Sequence, residues 1–435
     1  MEDAMSQELI ATIILLGSFI FLVFFSNKII FSIGVSTVLT LLYLNLPLQV
    51  VAQQAVKGLN STSLMAVPFF ILFGDILSAG GITDRLVKMA DACVGWMRGG
   101  LAMVNCVDSM FFGGISGSPT ADVSSLGSIV IPAMTKSGYD IDFSCSLTMA
   151  SAVQGLLIPP SHNMVIFAMA AGGVSVGQLF MGGMIPGITL GVALMIYCYY
   201  VAVKFNLPKG SPFTIKGAIK SFIDGFWGIA SMLIVVVGVA AGFFTATEAS
   251  AIACVYALFV TMVIYRTVTF KDLYKIMCNS LKTLAVVMAL IGISSAFGWV
   301  VTYLRIPVKL TNFLMGISDN KIVILLLINL LLLLMGTMMD MICSILIITP
   351  IILPVVTAIG MSPIQLGVMM IMNLGIGLIT PPVGVLLYVC GGIAKRSIEQ
   401  LTKAMIPFYL VMVVVLLLIT FVPALSTWLP GLIYG

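Results

Sequence analysis

The chain is expected to be an all-α polytopic membrane protein made of two inverted-topology repeats, each holding a helical hairpin and a broken helix. Two observations carry most of this expectation. Of 435 residues, 60% are apolar and 8% charged, a balance that no soluble core can hide and that lipid must solvate. The same punctuation also occurs twice: Gly114, Pro132, Gly138, Gly155, Pro159 and Pro160 recur in order as Gly336, Pro354, Gly360, Gly377, Pro381 and Pro382, each 222 residues further on. Glycine and proline pairs interrupt helices. Interruptions at matching places in two halves mark the binding site of a transporter.

The apolar runs 7–25 and 29–48 open the chain. Each approaches or exceeds the roughly 20 residues a helix needs to cross hydrocarbon, and the period-2 alternation of barrel strands is absent. Glu2, Asp3 and Glu8 stand where a secretory signal would be basic, so the first span is expected to stay in place. Repeat 1 is read over 62–203. Its amphipathic stretch 82–97 suits the membrane interface. The next stretch, 101–134, is too long for one helix and too short for two crossings with a loop; its Gly/Ser/Pro-rich middle predicts a hairpin that enters and leaves on one side. A broken helix over 141–171 follows, interrupted at Pro159 and Pro160, and then a span over 179–203. After a further span at 229–243, repeat 2 is read over 277–425. It has an amphipathic 306–317, a hairpin over 321–357 turning at 336–340, a broken helix over 363–391 and a last span at 405–422. No linker or low-complexity segment divides the chain, so one membrane domain is expected.

Charge sets the orientation. Threading the spans so that the loops holding Lys204, Lys209, Lys216 and Lys220 and Arg266, Lys271, Lys275 and Lys282 share one side puts sixteen of the twenty basic residues there, Lys28 included. Lys57, Arg305, Lys309 and Lys321 remain opposite. The basic side is the cytoplasm, and both termini are expected on the other. Five crossings separate the opening helices of the repeats, near Ser63 and Cys278. An odd number inverts the second repeat.

Several chemistries are excluded. The eight cysteines stand singly, without a CxxC pair, beside a single histidine, His162. They and the 29 methionines read as packing residues rather than metal ligands. The formal charge of +4 is dispersed between spans, which argues against nucleic acid. No GxxxxGK[ST] loop is present, so this chain is not expected to hydrolyse ATP.

Two prolines in succession end a helix inside the membrane. The carbonyl and N–H groups so released need a cavity or an ion. Freed carbonyls and hydroxyls are hard oxygen ligands suited to sodium, and half-helix N-termini suit an anionic substrate group. A first ion site is expected from Ser116, Ser118, Gly155 and Pro159, and a second from Thr337, Asp340, Gly377 and Thr380. The repeat pairs Ser118 with Asp340. Thr120, Asp122, Ser161 and Asn163 are the expected substrate contacts. A carboxylate in hydrocarbon is costly enough to suggest function, although Asp75 and Asp108 sit within helices where pairing alone would explain them.

The order of Gly-Gly-Ile-Ser-Gly-Ser-Pro-Thr-Ala-Asp at 113–122, Ile-Pro-Pro-Ser at 158–161, Met-Gly-Thr-Met-Met-Asp at 335–340 and Ile-Thr-Pro-Pro-Val-Gly at 379–384 resembles the large membrane subunit of TRAP transporters. The match runs over nearly the full length. The resemblance implies an elevator-type ion-transporter architecture and a tripartite uptake system of the bacterial inner membrane, with a small four-helix membrane subunit and a periplasmic substrate-binding protein as separate chains. It also implies sodium-driven symport of an organic acid such as a sialic acid, dicarboxylate or sugar acid. The outward loops would then dock the binding protein, with Ser175, Glu248 and Arg305 as contacts. Two other readings compete. A single-component sodium/carboxylate carrier of similar inverted architecture would need no partners. A rhomboid-like intramembrane serine protease would use Ser116 of Gly114-Ile-Ser-Gly117 with His162, but it explains neither the duplication nor the double prolines.

Overall fold

A computed structural model describes residues 2–25, 29–210, 213–317 and 320–435, and these are helical with a single isolated bridge, between Arg98 and Lys209. Lys28, assigned above to the cytoplasmic side, lies outside the described residues. Helices α1 (Glu2–Phe25) and α2 (Ile29–Tyr43) pack together, and α3 (Gln49–Leu59) follows as an amphipathic helix with no buried residue. Helices α4 (Ala66–Ala79) and α5 (Ile82–Val94) meet at 74°. The bend falls at Gly80 and Gly81, where Gly81 has φ +70°, a value that favours glycine. The expected amphipathic segment at 82–97 is thus α5, which turns sharply off α4.

The first hairpin is α6 (Gly100–Ser116) and α7 (Pro119–Lys136). The first broken helix is α8 (Ile141–Gln154) and α9 (His162–Ala171), followed by α10 (Val176–Lys204), α11 (Ile215–Ala240) and α12 (Ala246–Phe259), which ends in a π-turn at Val260–Ile264. The second half runs α13 (Phe270–Tyr303), α14 (Ile306–Ile317), hairpin α15 (Lys321–Met338) and α16 (Met341–Ala358), broken helix α17 (Pro363–Gly377) and α18 (Val385–Ala394), then α19 (Ile398–Phe421) and α20 (Ala424–Tyr434). From the start of α4 to the start of α13 there are five passages, α4, α8 with α9, α10, α11 and α12, so the second half is inverted. Among the described residues seven helices are long and apolar enough to cross a membrane unaided. Two of these seven are the arms of the second hairpin, α15 and α16, whereas the arms of the first hairpin and the four half-helices are not among them.

Each hairpin interlocks with the opposite repeat. Helix α7 packs on α18, and its counterpart α16 packs on α9. Inside each repeat the inner hairpin arm touches the broken helix backbone to backbone. A Cβ added at Gly113 would lie 2.1 Å from Gly155 Cα, and one added at Gly377 would lie 2.4 Å from Gly336 C. The two contacts differ by one register step: Gly155 matches Gly377, whereas Gly113 is one residue before the counterpart of Gly336. Buried amides flank them. Asn105 Nδ2 donates to Thr148 Oγ1 (2.7 Å) in the first half, and Asn373 Nδ2 to Asn329 Oδ1 (2.9 Å) in the second. Such bonds in an apolar interior fix which helices pair.

The sequence reading started α11 too late and omitted α3 and α20. Lys216 and Lys220 make the start of α11 polar while leaving it helical, and they sit four residues apart on one face. Helices of eleven residues such as α3 and α20 are too short to register as spans.

Candidate functional site

Both hairpin tips are helix starts, and paired residues cap them. Helix α6 stops at Ser116 because Gly117 turns left-handed, φ +59°. Ser118 then caps α7, its hydroxyl accepting from Ala121 N–H, with Pro119 in the first turn. In the other hairpin Asp340 Oδ1 accepts from Ile342 N–H at 2.9 Å and caps α16. The pairing of Ser118 with Asp340 is therefore a pairing of N-caps. One is a hydroxyl and the other an acidic carboxyl.

The breaks lie directly against these tips. Asn163 Nδ2 donates to Gly117 O at 3.5 Å, and a Cβ on Gly114 would come within 3.0 Å of Pro159 O. On the other side Val383 N–H donates to Thr337 O at 3.2 Å. Both Pro–Pro bonds, Pro159–Pro160 and Pro381–Pro382, are cis. The two breaks differ in how their carbonyls are satisfied. Gly377 O, Leu378 O and Ile379 O accept from Thr380 N–H, Leu386 N–H and the Tyr409 hydroxyl. Among the described residues the carbonyls from Gly155 to Pro160 accept no hydrogen bond. Buried carbonyls without donors are costly in an apolar interior, which makes the first break the stronger oxygen-rich locus.

A cavity of about 1140 Å³ lies where tips and breaks converge. Hairpin one contributes Ser116, Ser118 and Thr120, hairpin two Asp340, and the start of α9 His162 and Asn163; the opposite wall is Asp75 of α4 with apolar residues of α2 and α13. The N-terminal turns of α7, α9 and α16 all reach it; that of α16 is already occupied by the Asp340 carboxyl, so the starts of α7 and α9 are the ones suited to an anion. Its lining includes two carboxylates, Asp75 and Asp340, and neither lysine nor arginine. Asp75 is engaged across the wall, accepting a short hydrogen bond from Ser280 of α13. Sequence reading set Asp75 aside because pairing alone would explain a carboxyl within a helix, and Asp75 is indeed paired with Ser280 while also facing the cavity. The signal that marks it is Gly74, whose added Cβ would sit 3.1 Å from Ser116 Cα.

The structure thus brings Ser116, Ser118, Thr120, Asn163 and Asp340 to one cavity. Gly155 and Pro159 lie behind it at the first break, and Thr337, Gly377 and Thr380 behind it at the second. The Thr337 and Thr380 hydroxyls donate to the helical carbonyls Leu334 O and Ile376 O. Two expected substrate contacts are not on the wall. Ser161 is fully buried, while its neighbours His162 and Asn163 face the space. Asp122 is only 1% exposed, because it lies about 200° round α7 from the cavity-facing Thr120. It turns instead toward α6, facing Asp108 and the Ser109 hydroxyl, and among the described residues Asp108 has no hydrogen-bond partner while Ser109, which donates to Ser151, is the one group within reach of Asp122. Unpaired buried carboxyls destabilise a helix pair, so Asp108→Asn is expected to raise the melting temperature in detergent. A fall would mean that the carboxylate pair has a stabilising partner.

Of the three docking residues, Ser175 caps α10 by accepting from Gln178 N–H, and Glu248 forms a capping box with Thr245. Arg305 is exposed at a left-handed turn, φ +53°, with no ion pair among the described residues. The protease pairing is not assembled: Ser116 Oγ accepts from Ser118 N–H at 3.3 Å, and no hydrogen bond joins Ser116 to His162 among the described residues.

Two hairpins meeting two interrupted helices around a cavity, in a chain of apolar spans, define a multi-pass membrane transporter. The family model of the tripartite ATP-independent periplasmic transporter, DctM component, matches residues 16–425. The chain belongs to this family. It is 38% identical to the sialic acid TRAP transporter large permease protein SiaM of Vibrio cholerae, over 88% of this chain and 90% of that protein. It is 37% identical to the isethionate TRAP transporter permease protein DctMQ of Oleidesulfovibrio alaskensis, over 96% of this chain and 66% of the longer relative. In three dimensions it is similar to the YdaH transporter of Alcanivorax borkumensis, with a TM-score of 0.65 at 14% identity, covering 86% of this chain and 88% of that one.

Proposed function

We propose that this chain is the large permease of a tripartite uptake system of the bacterial inner membrane that carries a small organic anion together with sodium. The carrying observation is the charge of the cavity. Relatives are named for sialic acid and isethionate, yet the cavity lining holds Asp75 and Asp340 and no cationic side chain. An anion entering alone would meet like charge. Sodium bound at the hairpin tips reverses that sign and makes the anion's entry depend on the ion, which is the physical content of symport. Serine hydroxyls at Ser116 and Ser118 and the donor-free carbonyls of the first break suit a hard cation, as do Asp340 and the backbone around Thr337 in the second. The substrate's charged group is then held by helix N-termini, Thr120 and Asn163.

Hairpins and broken helices interlock across the repeats, so they can move as one body against α4 and α13, an elevator-type displacement. The basic loops face the cytoplasm and both termini the periplasm in this reading. The small membrane subunit and the binding protein complete the system. Reconstitution tests it. Uptake of a labelled organic acid should require sodium, the small subunit and the binding protein together, and sodium-driven uptake by this chain alone would assign it to the single-component carriers. Within the complex, Arg305→Glu is expected to weaken uptake several-fold while leaving sodium-dependent thermal stabilisation unchanged. Unaltered uptake would remove Arg305 from the docking face.

A further inference from the structure

A second cavity, of about 350 Å³, lies along the same helices as the first but toward their other ends. The main cavity takes Asn163 of α9, Leu290 of α13 and Cys343 of α16; the second takes Met169, Ser294 and Leu346 of those helices, one to two turns further on. It therefore sits in line with the hairpin tips, on the side that charge assigns to the periplasm. Its floor is firm: α3 packs on α13 so closely that a Cβ on Gly58 would fall 1.9 Å from Ser295 Oγ. Its electrostatics are opposite to those of the main cavity. Lys57 is its one charged lining residue, exposed and without an ion pair among the described residues, and no carboxylate lines it. The Ser294 hydroxyl also lines it, 2% exposed and with no hydrogen-bond partner among the described residues.

A buried hydroxyl without a partner costs free energy unless something in the space satisfies it. A lysine with no acid near it attracts an anion, and a space of this size suits one of a few heavy atoms. We propose that this cavity is an antechamber that holds a small organic carboxylate between Lys57 and Ser294 before the hairpin tips receive it. The inference rests on the transport reading above, and it adds a binding step that does not need sodium. Positive potential at the entrance concentrates the anion, and the sodium-loaded tips then draw it onward.

The test uses the full-length protein in detergent carrying Ser294→Cys, with the parent protein's cysteine background subtracted. Labelling rates are compared for the anionic 2-sulfonatoethyl methanethiosulfonate and its trimethylammonium counterpart, each divided by its rate with a small free thiol. The expected preference for the anionic reagent is about tenfold. It should vanish in Lys57→Gln and reverse in Lys57→Glu, and millimolar succinate in sodium-free buffer should slow labelling only where Lys57 is present. Where Ser294→Cys does not fold, Ser61→Cys lines the same space and gives the same comparison. Equal rates for the two reagents, a preference indifferent to Lys57, absent succinate protection or no labelling at all would each overturn the antechamber. Protection that persists in a protein lacking any sodium response would keep the antechamber and remove the sodium coupling instead.

Discussion

Gly113→Ala and Gly377→Ala are expected to destabilise this protein severely, although each places the best helix former in or at the end of a helix. Propensity alone predicts a gain of about 1 kcal/mol for glycine to alanine within a helix. Packing reverses the sign. The new methyl at 113 would lie 2.1 Å from Gly155 Cα, and the one at 377 would lie 2.4 Å from Gly336 C and 2.6 Å from Gly336 Cα. The obstacles are backbone atoms, which cannot rotate away as a flexible side chain can. Overpacking in a close-packed interior costs about 1–3 kcal/mol and occasionally more, so loss of monodisperse protein or a large fall in melting temperature is expected. Gly336→Ala is the internal control. Its methyl would meet Leu374 Cα at 3.2 Å and Gly377 Cα at 3.3 Å, a pressure that a shift of a few tenths of an ångström relieves. A scan in which all three variants melt alike would contradict the one-step register difference between the repeats. With no side chain between them, hairpin arm and broken helix meet backbone to backbone.

The class of the fold and the convergence of tips and breaks at the candidate site were legible because glycine and proline report backbone events directly. Gly117 makes the tip, Pro159, Pro160, Pro381 and Pro382 make the breaks, and the constant interval of 222 residues matches the copies. Which face of a helix meets the cavity was less legible. On α7 the choice between Thr120 and Asp122 depends on how the hairpin is rotated, and both arms are apolar enough to permit either. That Asp75 and Lys57 face cavities escaped for a related reason. Each belongs to a scaffold helix whose apposition to the hairpins is set by long-range packing, with Gly74 and Gly58 as the only local marks. The expectation that Glu248 contacts a partner overlooked its nearer use, since Thr245 three residues before it makes a capping box. Interface roles and local capping draw on the same residue types.

Sodium is expected to stabilise the purified protein selectively, over potassium and choline, and Ser118→Ala and Asp340→Asn should each remove part of that effect. A ligand at a hundred times its dissociation constant adds about 2.7 kcal/mol to a protein that binds it only when folded, enough to move a melting curve plainly. The two substitutions are not equivalent despite their matching places. Both residues cap helices, so each variant loses a cap worth roughly 1 kcal/mol irrespective of any ion, and the quantity to compare is the sodium-dependent increment rather than the melting temperature itself. Removing the Asp340 charge subtracts the compensating carboxylate of the second site. At the first site Ser118→Ala removes one hydroxyl and leaves the Ser116 hydroxyl and the donor-free carbonyls from Gly155 to Pro160 in place. The larger loss of increment is therefore expected for Asp340→Asn, with a residual sodium response that the double variant abolishes. If the double variant responds to sodium as the parent does, the ion is held elsewhere; if even the parent shows no sodium response, the two cavity carboxylates require another cation to admit an anion, and the proton becomes the coupling ion to test.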